Sequence, residues 1–188
     1  MQRREVVRYL GAAFALPFLP RNADAAIRLG EDLHRRLTDT SFRTLDTPQQ
    51  MLVTDICEMI IPETDTPGAV SVRVPQFIDL LLAEWASDEE KAEFLAGLTD
   101  IDARAAAFGV QQQGQRRFVD LAPAAKTELL TALDRERGAK SGAGLAFGRL
   151  KSMTVYGYFT SKPVYENVLR TRMYFDGYKG DVPFTAAR

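Results

Sequence analysis

Thr47-Pro48-Gln49-Gln50-Met51-Leu52-Val53-Thr54-Asp55-Ile56-Cys57-Glu58-Met59-Ile60-Ile61 is the stretch that decides the fold class. Thr47 offers an N-cap hydroxyl, Pro48 suits the first helical position with its fixed φ and missing N–H, and Gln50 stands three residues after the cap. Val53, Cys57 and Ile60 then recur at helical spacing, so one face is apolar. Pro62 ends the helix, because it can neither donate to the ladder nor avoid the preceding carbonyl. Working outward, the same pattern repeats. Val74-Pro75 opens a strongly apolar helix through Phe77, Ile78, Leu81, Leu82 and Trp85. Ser87-Asp88-Glu89-Glu90 is a second capping box, opening a helix with Phe94, Leu95, Leu98 and Ile101 that should run to about Phe108. Gln111–Gln115 reads as a polar linker, and Pro123 begins a helix with Leu129, Leu130 and Leu133. Arg137–Gly144, with three glycines, is the expected flexible loop, and Phe147–Phe159 the last substantial helix. Upstream, Leu29, Leu33 and Leu37 predict a helix over 27–43. Alternating β-branched patterns are nearly absent. The expected fold is therefore all-α, a single-domain bundle or orthogonal array of about six helices over residues 26–188, with an irregular aromatic-rich carboxyl-terminal segment.

Composition narrows the function. The chain has 188 residues, 46% of them hydrophobic, enough for one domain with a core. Net charge is −1 and no basic block occurs, so the electrostatic footprint of a nucleic-acid binder is missing. One cysteine and one histidine cannot build a four-cysteine cluster or a zinc ribbon, and no C-x-x-C-H haem attachment is present. Cys57 reads as a small buried hydrophobe; a free thiol in an oxidising compartment has the alternative of pairing with another chain. His34 falls off the Leu29–Leu33–Leu37 stripe beside Arg35 and Arg36 and reads as a solvated surface histidine. Glu63 and Asp65 lie in the turn Glu63-Thr64-Asp65-Thr66-Pro67-Gly68. Two carboxylates without further oxygen ligands fall short of a calcium site, so they are assigned to turn chemistry. No G-x-G-x-x-G, P-loop, G-x-S-x-G or H-E-x-x-H occurs. No catalytic, cofactor-binding or metal-binding residue is assigned in this chain.

The amino terminus reads as an export signal over residues 1–25. Arg3, Arg4 and Arg8 give a basic start, Tyr9–Leu19 an apolar stretch too short for a membrane anchor, and Ala23-Asp24-Ala25 a small-x-small pattern predicting a cut after Ala25. Gln2-Arg3-Arg4-Glu5-Val6-Val7-Arg8 resembles the twin-arginine export motif, without the usual Ser or Thr before the pair. That route moves folded proteins, commonly after cofactor loading. A chain with no cofactor motif of its own thus points to a cofactor-bearing companion. At the other end, nine of the eighteen aromatics lie between Phe147 and Phe184, which suggests a partner-binding segment. Tyr156, Tyr158, Phe159, Tyr174, Phe175 and Tyr178 are the expected interface residues; packing back onto the bundle is the alternative.

Ile60-Ile61-Pro62-Glu63-Thr64-Asp65-Thr66-Pro67-Gly68-Ala69, followed by Val74-Pro75-Gln76-Phe77-Ile78-Asp79, closely resembles the signature of the gluconate 2-dehydrogenase subunit 3 family. Leu150–Ser161 is similar to that family's second motif, and Tyr178-Lys179-Gly180-Asp181-Val182-Pro183 to its ending. The resemblance runs from about Thr47 to Pro183. It implies a non-catalytic small subunit accompanying a large FAD-dependent dehydrogenase of the glucose–methanol–choline type, which oxidises a sugar, sugar acid or polyol. A cytochrome c as electron acceptor, the twin-arginine translocase as a further partner, and a periplasmic location with membrane association through the complex belong to the same expectation. No catalytic residue is carried over, since the family places these on the large subunit. The alternative is an independent periplasmic helical ligand-binding protein or enzyme.

Overall fold

A computed structural model describes residues 16–17, 19–37, 41–109, 117–136 and 138–169. Six α-helices occur among them, and no strand: α1 (Ala23–Arg36), α2 (Thr47–Ile60), α3 (Val74–Trp85), α4 (Asp88–Gly109), α5 (Pro123–Arg135) and α6 (Gly142–Thr160). A 3-10 turn, Phe118–Asp120, precedes α5, and a π-helical turn, Val164–Val168, follows α6. The all-α reading holds. None of these helices is long and apolar enough to cross a membrane.

The bundle is organised around α6, which packs against all five other helices and most extensively against α4. The reason lies in its sequence: apart from Arg149 and Lys151, Gly142–Thr160 is apolar or small on every side, and none of its residues is largely exposed. Leu150, Met153 and Thr154 are fully covered. Helix α3 is likewise buried nearly all round, from Val74 to Leu82, and the other four contribute single faces: Leu29 and Leu33 from α1, Leu52, Val53, Ile56 and Cys57 from α2, Phe94, Leu98 and Ile101 from α4, Leu129, Leu130 and Leu133 from α5. Partly shielded ion pairs lie along the helix contacts, Lys126–Asp55 at 2.6 Å between α5 and α2 and Arg149–Glu93 at 2.8 Å between α6 and α4.

Several boundaries differ from the sequence expectation. The capping box of α2 is Asp46 with Gln49, one residue earlier than Thr47 with Gln50. The Asp46 carboxylate accepts from Gln49 N–H at 2.9 Å, and Gln49 Oε1 accepts from Asp46 N–H at 3.0 Å. Thr47 becomes the first helical residue, and Gln50 donates instead to the Leu45 carbonyl. The second box is where the sequence placed it, with Glu90 N–H on Ser87 Oγ and Ser87 N–H on Glu90 Oε2. Helix α1 begins and ends earlier than 27–43, because Asn22 caps it and Leu37 closes it. The glycine-rich stretch forms no long loop. Gly142, at φ 72°, turns the chain with a dihedral that a side chain would resist, and α6 starts there. The 111–115 linker lies outside the described residues.

Candidate functional site

The two stretches that resemble the family signature meet in one place. Loop 61–73 leaves α2, folds back and delivers Phe77 on α3 to the carboxyl-terminal half of α6. The loop is held from within: Ala69 N–H donates to the Ile61 carbonyl at 2.9 Å, Val74 N–H to the Ala69 carbonyl at 3.0 Å, and Ser71 Oγ to the Gly68 carbonyl at 2.8 Å. It is held from outside by Tyr158 of α6, whose hydroxyl donates to the Pro67 carbonyl at 2.8 Å. Glu63, Thr64 and Asp65 stay exposed at the tip, and Thr64 Oγ1 donates to Asp65 Oδ1, so turn chemistry accounts for them.

Phe77 is the hinge of the cluster. It is fully buried and lies against Gly157, where a Cβ would come within 2.7 Å of Phe77 Cδ1. Tyr156 meets its ring edge-on at 5.4 Å, and His34 stacks on it at 4.6 Å. The Tyr156 hydroxyl reaches across to the Ala26 carbonyl at 2.5 Å. Residues from α1, α3 and α6 are therefore locked together by aromatic contact and hydrogen bonds.

His34 is not the solvated residue that the sequence suggested. Its Nε2–H donates to the Gly157 carbonyl at 2.8 Å, which fixes the tautomer because a carbonyl only accepts. Burial pushes its pKa down to about 4, the carbonyl opposing this weakly, so the ring is neutral at pH 7. Its place off the leucine stripe leaves it half-buried against Phe77, which belongs to the same core as Leu29 and Leu33.

Cys57 is the buried small hydrophobe of the sequence reading. It is 0% exposed, which removes the pairing alternative for the folded chain. Thr154 spends its hydroxyl proton on the Leu150 carbonyl, so the thiol donates to Thr154 Oγ1 at 3.3 Å. Burial pushes the thiol up to about 12, far from nucleophilic use.

Three of the six expected interface aromatics are placed differently. Tyr156, Tyr158 and Phe159 are 1%, 5% and 6% exposed, inside this chain's own bundle. Both tyrosine hydroxyls find internal carbonyls, and Phe159 packs edge-on against Tyr158. Aromatic enrichment in α6 thus serves the core, since its carboxyl-terminal turns are enclosed by the rest of the bundle. Tyr174, Phe175 and Tyr178 lie outside the described residues, as do Arg3 and Arg4 of the export signal. Ala23 and Ala25 are exposed in the first turn of α1.

Asp79 carries a role the sequence reading missed. Only 1% exposed, its carboxylate accepts three backbone N–H groups, from Arg43 at 2.6 Å, Thr44 at 2.9 Å and Leu45 at 2.8 Å. It thereby pins the segment entering α2 onto α3. A lone carboxylate within the run Phe77-Ile78-Asp79-Leu80-Leu81-Leu82 was the available signal, because such an acid needs donors when buried.

Elsewhere, α2, α5 and α6 border a shallow groove of about 300 Å³, lined in part by Met59, Ile60, Leu130, Phe147 and the ion pair Lys151–Asp134. Met51 and Trp85 are the large hydrophobic side chains left in solvent among the described residues. Among the same residues, no group of three or more His, Cys, Asp or Glu side chains is arranged to hold a metal ion.

A family model described as Gluconate 2-dehydrogenase subunit 3 matches residues 47–177. That span takes in α2 to α6, including loop 61–73, Phe77 and Asp79, while their partners in α1 and residues 43–45 precede it. No curated protein and no solved structure matches the chain.

Proposed function

The chain belongs to the gluconate 2-dehydrogenase subunit 3 family, and on that premise we propose that it is the non-catalytic small subunit of a periplasmic FAD-dependent sugar, sugar-acid or polyol dehydrogenase. It carries the twin-arginine signal for the pair and assists maturation and export of the catalytic subunit. The large subunit binds FAD and oxidises the substrate; a cytochrome c takes the electrons.

The family match over 47–177 is the observation that carries this reading. Two features of the fold agree with it. The side chains best suited to acid–base or nucleophilic work, His34 and Cys57, are absorbed into packing, one neutral on Phe77 and the other protonated on Thr154. The two signature stretches build a rigid internal joint, as suits a chain whose task is to hold shape against another protein. Contact with the large subunit is assigned to the aromatic tail, with Tyr174, Phe175 and Tyr178 as its anchors.

Changing Arg3 and Arg4 together to Lys, with both proteins followed by fractionation, tests joint export. Retention of both in the cytoplasm is the expected result. A large subunit that reaches the periplasm at its normal level would refute it.

A further inference from the structure

The small-x-small pattern Ala23-Asp24-Ala25 sits where a signal peptidase would find it in sequence, yet the fold places it inside a helix. Ala23–Arg36 is continuous α-helix, and the Ala25–Ala26 bond lies in its first turn. Ala26 N–H donates to the Asn22 carbonyl at 3.0 Å, and the Ala26 carbonyl accepts from the Tyr156 hydroxyl. Upstream, Asn22 Oδ1 caps the helix by accepting from Asp24 N–H at 2.9 Å and Ala25 N–H at 3.4 Å. Further back, Leu16 and Leu19 are 2% and 6% exposed and belong to the hydrophobic core, linked by a Leu19 N–H to Leu16 carbonyl bond of 3.2 Å.

From this arrangement we propose that the segment Leu16–Ala25, although part of the export signal, remains in the mature subunit because the fold holds the cut site, exposed as it is, in a helical turn anchored on both sides. The proposal rests on the export reading above, since a twin-arginine passenger folds before it meets the peptidase.

Cleaving a backbone bond requires the chain to leave its helix and enter the protease as an open strand, so a first turn tied down at both ends resists. The product would be unfavourable as well. A cut after Ala25 would create an ammonium group on Ala26, whose residue is only 4% exposed. That charge would stand at the end of α1 where the helix dipole is already positive. The same cut would remove the Asn22 cap and take Leu16 and Leu19 out of the core. The apolar end of the signal thus has a second use as part of the folded subunit.

The test is incubation of the full-length chain with detergent-solubilised signal peptidase, beside an ordinary secreted precursor as cutting control, read by intact mass. Wild type is expected to keep Leu16–Ala25 while the control is fully cut. A double variant, Leu19→Asp with Asn22→Ala, releases the segment and is expected to lose residues 1–25. Wild type beginning at Ala26, or at any residue after Leu16, overturns the proposal. So does a double variant as resistant as wild type, because folding would then not be the cause. Fractionation of cells, measured separately, reports on export alone. A chain found in the cytoplasm would count against the export reading and leave the peptidase result standing on its own.

Discussion

His34 combines a ring stacked on Phe77, an Nε2–H given to Gly157 and a pKa held at about 4 by burial. In the unfolded chain the imidazole titrates near its model value of 6.5. The folded value is lower, so below pH 6.5 the unfolded state takes up the proton first and stability falls. The loss grows until about pH 4, amounts to about 3 kcal/mol, and is absent above pH 7. Urea unfolding at a series of pH values should show this fall in wild type and a shallower one in His34→Gln, whose amide can still donate to Gly157. Parallel profiles for the two proteins would contradict the account. Neither His34 nor Asp79 was legible as a structural residue, for a shared reason. Each is polar, and what covers it comes from far along the chain: Phe77 and Gly157 for the half-buried histidine, the backbone of 43–45 for the buried aspartate. Local periodicity reports which residues share a face, and is silent on which faces meet. Cys57 was read correctly because its own helix supplies the apolar stripe.

At the level of elements, the starts of α3, α4 and α5 were legible because their signals are local: Val74-Pro75, the Ser87–Glu90 box and Pro123. The start of α2 moved by one residue, since a carboxylate at Asp46 is an acceptor at least as good as the Thr47 hydroxyl, and Gln49 sits at the right distance from it. Helix α6 was read too short and its aromatics were turned the wrong way. A helix buried on most sides has no clear period to read, so its first turn, with Gly142 and Gly144, looked like loop and its tyrosines like surface. Gly157, inside the expected helix, shows what a glycine does at a close contact. Replacing a mid-helix glycine with alanine ordinarily gains up to about 1 kcal/mol. Here the new Cβ would press on the fully buried Phe77 ring at 2.7 Å, and overpacking costs about 1–3 kcal/mol. Gly157→Ala is therefore expected to lower the denaturation midpoint. A rise would mean that the α3–α6 contact is loose.

On the scale of the whole molecule, the described chain is a six-helix bundle whose family signature builds an internal joint, with its reactive side chains buried in packing. The class of fold and the family were both legible in the sequence, through periodicity and the 60–79 signature. Which aromatics face a partner was not, because burial depends on how α6 is enclosed. The proposed joint export through Arg3 and Arg4 belongs to this scale, since it would depend on the pair travelling as one folded object. The proposed function makes this chain one part of a flavin-bearing complex. The decisive experiment is purification of the tagged chain from the periplasm, followed by an absorption spectrum of the eluate. A flavin spectrum and a co-purifying large protein at equal stoichiometry are expected. A stable, colourless chain alone, able to bind or turn over a sugar, would contradict it.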